Sequence, residues 1–96
     1  MTMNEYKENL IRKINQIINH YVNKEDIRKF YTKLCYIDND IRFLISETLY
    51  KEFKTEHLCI YYELLYNNDY DDADIIVNDC INILQRIINI IKSSKS

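Results

Sequence analysis

The sequence contains no glycine and no proline, and only one alanine. Tight β-hairpins lean on Gly, Asn and Asp, and a β-rich fold needs many of them. Phosphate loops and dinucleotide fingerprints need several glycines so that the backbone can approach the phosphate closely. The absence of glycine argues against both classes and leaves helices joined by Asn, Asp and Thr caps. Also missing is any C-x-x-C pair among Cys35, Cys59 and Cys80. An odd number of cysteines without paired spacing speaks against a disulfide framework or a zinc knuckle. The three thiols read as small apolar core residues in a reducing compartment. No apolar run approaches the ~20 residues of a membrane span. Glu5, Lys7, Glu8, Arg12 and Lys13 break up the first segment, which is no signal peptide. The expectation is a cytoplasmic protein with no membrane association.

What is present fits a single helical domain. The chain has 96 residues and a mass of 11.7 kDa, the size of one domain over 1–96. Area scaling puts its folded surface at about 5,900 Å² against about 17,000 Å² unfolded, enough burial for one core without staples. Ile, Asn, Lys and Tyr make up 46 of the 96 residues. All four have AT-rich codons, which points to a mobile element, a phage, a low-GC bacterium or an AT-rich virus.

Hydrophobic spacing predicts four to five helices in a compact all-α bundle. Thr2 and Glu5 make a T-x-x-E capping box ahead of a helix over 3–22. Tyr6, Leu10, Ile14, Ile17 and Tyr21 then line one face. Asn23 ends that helix through a left-handed conformation and caps the next, over 24–36, which carries Ile27, Phe30, Tyr31 and Leu34. Asp38 caps a third helix over 39–54, with Ile41, Leu44, Ile45, Thr48, Leu49 and Phe53 inward. Thr55 caps a fourth over 56–66, with Leu58, Cys59, Tyr62, Leu65 and Tyr66; the third and fourth stand alternatively as one kinked element. After Asn67-Asn68-Asp69, a helix over 71–92 repeats Ala73, Val77, Cys80, Leu84, Ile87 and Ile91 as a heptad-like seam, with Ile76, Ile83, Ile90, Ile81 and Ile88 on its flanks. So wide an apolar surface fits a central C-terminal helix, or a helix that also supplies a homodimer face. Residues 92–96 read as a frayed tail.

Charge is segregated along the chain. Residues 1–54 hold ten basic and eight acidic side chains, whereas residues 55–85 hold seven acids and no Lys or Arg. Asp69, Asp71, Asp72 and Asp74 fall within six residues, close to Glu63 and to Tyr62, Tyr66 and Tyr70. Acids raise the local concentration of a basic partner, and tyrosines recur as interface anchors. These eight residues are the candidate partner-binding set. The competing reading is local: Asp69, Asp71 and Asp72 serve as cap and first-turn acids of the last helix. Capping accounts for two or three acids but not for 31 consecutive residues without a base.

Catalytic and metal signatures are weak. The segment from Asp69 lacks the Gly and the Glu that a calcium loop needs at positions six and twelve, where Asp74 and Cys80 stand. His57-x-Cys59 places two potential zinc ligands on different faces of a helix; His57 reads as a partly exposed first-turn residue. A Cys–His pair assembled in space has no local signature. Lys7, Arg12, Lys13, Lys24, Arg28, Lys29 and Lys33 are interleaved with Glu5, Glu8, Glu25 and Asp26, a solvated mixed-charge face unsuited to duplex. The expectation is no enzyme, no cofactor, no metal and no nucleic acid.

In size, residue usage and the stretch YYELLYNNDYDDADIIVND, residues 61–79, the chain resembles bacterial toxin-immunity proteins of the contact-dependent or nuclease-bacteriocin kind. The resemblance implies a stoichiometric inhibitor whose acidic, Tyr-rich surface neutralises a basic cognate toxin. Two rival readings stand beside it, the first on the same physics and the second of a different class. One is a phage or viral anti-defence protein acting as an acidic mimic. The other is a homo-oligomeric helical regulatory module built through the 71–92 helix.

Overall fold

The computed structural model describes residues 2–93 and is helical almost throughout. Its elements are α1 (Met3–His20), a 3-10 turn (Lys24–Asp26), α2 (Ile27–Leu44), α3 (Glu47–Tyr62), a π turn (Glu63–Asn67) and α4 (Tyr70–Ser93). The bundle measures 42 × 25 × 18 Å and exposes 6174 Å², close to the area expected from mass. No helix among the described residues is long and apolar enough to cross a membrane.

α1 follows its sequence pattern. Thr2 accepts from the Glu5 N–H at 3.1 Å, and its hydroxyl donates back to Glu5 Oε1 at 3.2 Å. Leu10, Ile14 and Ile17 are buried, with Tyr6 and Tyr21 half-buried at the two ends. The helix stops at His20, two residues earlier than expected, and Asn23 is extended (φ −152°), not left-handed. Asn23 does cap the next turn: its side chain accepts from the Glu25 N–H at 2.9 Å, and Asp26 accepts from the Asn23 N–H at 3.3 Å. This reciprocal box turns the chain into α2.

The two middle boundaries differ from the sequence expectation. Asp38 does not start a helix; α2 runs through it and buries Ile27, Phe30, Leu34, Ile37 and Ile41. Asp38 instead faces α3, where Lys54 Nζ lies 2.5 Å from its carboxylate. Thr55 does not cap either. Its hydroxyl donates to the Lys51 carbonyl of its own helix at 2.9 Å, as a mid-helix Thr does. The real break is at Ile45-Ser46, where Ser46 accepts from the Leu49 N–H at 3.2 Å. One helix therefore spans most of the segment read as two, and its phase is set from Ser46.

That phase decides which residues α3 and the π turn bury. Leu49, Phe53, His57, Ile60 and Leu64 point inward, at steps of four, four, three and four. Leu58, Cys59 and Leu65, expected on the apolar face, are exposed instead, and so are Tyr62 and Tyr66 of the candidate partner-binding set. Cys35 is also exposed, so only Cys80 is the core thiol that was expected of all three.

α4 is the central helix. It packs against α1, α2 and α3, and its seam of Ala73, Val77, Cys80, Leu84, Ile87 and Ile91 is buried throughout, joined by Ile88. Ile76, Ile81 and Ile83 are half-buried on the same core. The width of the apolar surface thus reflects three helical neighbours. The helix includes Lys92 and Ser93, placed in the tail by sequence; Ser94, Lys95 and Ser96 lie outside the described residues.

Candidate protein-binding surface

The phase of α3 that buries Ile60 and Leu64 turns Leu58, Tyr61, Tyr62, Leu65 and Tyr66 outward. All five are between 37% and 70% exposed. Their spacing, i, i+3, i+4, i+7 and i+8, places them along one side of a helix. Large apolar residues scattered singly on a surface are ordinary, whereas these five share one side of the helix, which makes it the candidate surface. Tyr62 and Tyr66 stack on each other with ring centroids 5.1 Å apart. Tyr61 stacks on Tyr31 of α2 at 5.3 Å. These contacts restrict the rings before any partner arrives, which lowers the entropic cost of binding.

A tight turn sets the acids beside this stripe. The π turn closes on Asn68, the one described residue with positive φ (51°) outside glycine, a conformation that Asn tolerates. Asn68 and Asp69 both donate backbone N–H groups to the Glu63 carbonyl. Asn67 Nδ2 holds the Glu63 carboxylate at 3.2 Å. Asp69 then caps α4 by accepting from the Asp72 N–H at 3.1 Å. Carboxylate oxygens of Glu63, Asp69 and Asp72 consequently lie within 4.8 Å of one another. The hydrogen bond with Asp69 and its charge raise the Asp72 carboxyl above the ordinary range.

The other three candidate residues look elsewhere. Tyr70 is half-buried against the core, and its hydroxyl accepts from Arg28 Nε at 3.1 Å. Asp71 pairs with Lys24 at 2.8 Å. Asp74 accepts from the Tyr21 hydroxyl. Together they fasten the start of α4 to the α1–α2 connection. The eight residues therefore divide into a surface set (Tyr62, Glu63, Tyr66, Asp69, Asp72) and a tether (Tyr70, Asp71, Asp74). Sequence reasoning overlooked Leu58, Tyr61 and Leu65 as surface residues. The signal was available: continuing the inward steps from Leu49 and Phe53 reaches Ile60 and Leu64, not Leu58 and Leu65.

A second polar constellation lines the α2–α3 seam. Tyr31, Cys35, Asp38 and Arg42 face Tyr61, His57, Lys54 and Tyr50 in antiparallel order. Arg42 sits 5.4 Å from the Tyr50 ring, and the Asp38–Lys54 pair comes next. Cys35 Sγ lies 3.6 Å from His57 Nε2. His57, expected to be partly exposed, is 1% exposed. Burial, aided by the Lys54 charge, pushes its pKa down to about 4. The ring is therefore neutral at pH 7. Tyr31 and Phe53 stack on it at 4.6 and 5.4 Å, which makes the imidazole part of the packing.

Comparison with protein-family models, with curated proteins and with solved structures gives no match.

Proposed function

We propose that the chain is a stoichiometric protein-binding inhibitor that docks through the exposed side of α3 and the π turn onto a basic site of its partner. One observation carries this reading. Leu58, Tyr61, Tyr62, Leu65 and Tyr66 form an unpartnered apolar stripe, bordered by Glu63, Asp69 and Asp72, in a stretch of 31 residues without a Lys or Arg. The tyrosines are the desolvated anchors and the acids select a cationic partner. A cognate toxin, neutralised by its immunity protein, fits this chemistry, because enzymes that act on nucleic acid present basic sites. The α4 surface offers a second copy less: its large exposed apolar residues are Ile75 and Ile90, at opposite ends of the helix.

The test is co-expression with the toxin reading frame adjacent to the gene. The parent chain restores growth. Two variants, Tyr62→Ala with Tyr66→Ala, and Glu63→Gln with Asp69→Asn and Asp72→Asn, fold normally and fail to protect. Asn caps a helix as well as Asp does, so the second variant removes charge without removing the cap. Full protection by either folded variant overturns the surface. A neighbourhood without a toxin gene overturns the immunity role.

A further inference from the structure

Between α1 and α2 runs a groove made of two adjoining cavities, of about 240 and 210 Å³, which share Ile17, His20 and Lys33. Lys29 and Phe30 complete the first cavity; Lys13, Tyr36 and Ile37 complete the second. The arrangement follows from helix periodicity. Lys13, Ile17 and His20 share one edge of α1, and Lys29, Lys33 and Tyr36 share the facing edge of α2.

Three lysines converge here, none of them within ion-pair distance of a carboxylate, beside a single acid, Asp26. The ion pairs among the described residues are Lys24–Asp71, Lys51–Glu47, Lys54–Asp38 and Arg86–Glu52; Lys13, Lys29 and Lys33 belong to none. Lys33 Nζ rests 3.4 Å from His20 Nδ1. One carboxylate, Asp26, lines the groove; it accepts from the backbone N–H groups of Val22 and Asn23, at 3.0 and 3.3 Å, and its charge also meets those of Lys29 and Lys33. Of the acids interleaved with these lysines in the sequence, Asp26 alone lines the groove. The groove thus holds three lysines against one carboxylate, and a concavity with an excess of positive charge concentrates anions. Beside the lysines, Tyr36 is 81% exposed, and Ile17 and Ile37 form an apolar floor.

We propose that this groove binds a phosphate monoester carried on a flat aromatic body, the chemistry of a mononucleotide. Lys29, Lys33 and His20 take the dianionic phosphate in the first cavity. Tyr36 stacks on the ring in the second, with Lys13 closing its far end. Stacking of this kind tolerates any base, because every base has a π face. The phosphate belongs either to a free nucleotide or to the 5′ end of a strand. The site is separate from the acidic face of α3 and stands whether or not that face binds a toxin.

The test is amide and side-chain NMR of the full chain, titrated with adenosine 5′-monophosphate, with inorganic phosphate, and with a short oligoadenylate with and without its 5′ phosphate. Adenosine monophosphate produces saturable shifts at His20, Lys33 and Tyr36, whereas inorganic phosphate shifts the first cavity alone. Replacing Lys29 and Lys33 by Gln weakens nucleotide binding by about tenfold or more, the loss expected for two charge-assisted contacts, and leaves circular dichroism unchanged. Tyr36→Ala weakens the nucleotide but not inorganic phosphate. Tighter binding of the 5′-phosphorylated strand than of the nucleotide assigns the strand end as the source. Equal binding of the unphosphorylated strand overturns the monoester site. So does undiminished binding by the double Gln variant, or the lack of saturable shifts at about 1 mM nucleotide, where binding would be weaker than about −4 kcal/mol.

Discussion

Cys35 and His57 meet across the α2–α3 seam, with the thiol sulfur 3.6 Å from a ring nitrogen that solvent barely reaches. The imidazole is stacked between Tyr31 and Phe53 and is neutral because protonating it would bury a charge. This arrangement makes the fold sensitive to acid.

The folded pKa of His57 is about 4, against an ordinary 6.5. A base with a depressed pKa gives its full stability above the unfolded value and loses it as the pH falls towards the folded value. The window is therefore pH 6.5 to 4, and the loss is at most about 3 kcal/mol. Asp38 adds a loss in the same direction at lower pH, as the pH falls below its ordinary 3.8. Burial opposes its ionisation, but the hydrogen bonds from Lys54 and Tyr50 outweigh burial and hold its pKa low. Urea unfolding at a series of pH values should show the decline in the parent chain. His57→Met should flatten it substantially while leaving the Asp38 component. An unchanged slope in the variant would place the acid sensitivity elsewhere.

Ile60 and Leu65 test the phase of α3. Ile60 is fully buried and Leu65 is half exposed. Ile60→Ala should cost about 2–5 kcal/mol, and Leu65→Ala about 0.5 kcal/mol or less. Chemical denaturation of both variants decides the matter; comparable losses would contradict the inward row ending at Leu64.

Ser46 and Thr55 offer a comparison of two apparent caps. Ser46 accepts the Leu49 N–H, so Ser46→Ala should destabilise by about 1 kcal/mol. Thr55 lies inside α3 on an exposed position. There Thr55→Ala should be neutral or stabilising by a few tenths of about 1 kcal/mol, since Ala is the better helix former. Thermal melts would show the two changes in opposite directions.

Thiol labelling separates the cysteines. Cys35 and Cys59 are exposed and should react with an aromatic disulfide reagent in the native protein. Cys80 is fully buried, and burial pushes its thiol up to about 12. It should react only at the rate of unfolding, as a third equivalent released by denaturant. Immediate reaction of all three would mean that α4 opens readily.

The helical architecture and the role of α4 were legible because Ala73 to Ile91 and Leu10 to Ile17 keep their periods without interruption. The middle of the chain was harder, because Asp38 and Thr55 are cap-forming types that instead satisfy their side chains on Lys54 and on the Lys51 carbonyl. Accepting Thr55 as a cap restarted the period and turned the stripe of α3 inside out. The acidic stretch was visible as composition. Its division into a surface and a tether was not, because Lys24, Arg28 and Tyr21 reach Asp71, Tyr70 and Asp74 from 42 to 53 residues away.

The run from Thr55 to Gln85 contains no lysine, and this has a chemical consequence. From Thr55 onward, the exposed side of α3, the π turn and the start of α4 offer no lysine amine to acylating reagents. Amine-directed tags, crosslinkers and lysine-modifying enzymes would act on the α1–α2 side, on α3 at or before Lys54, and on the chain's last lysines. A label or surface attachment made through lysine would leave the acidic, tyrosine-lined face underivatised, while the same chemistry would block the groove between α1 and α2. Acylation thus offers a way to silence one of the two surfaces in the folded protein and read the other alone.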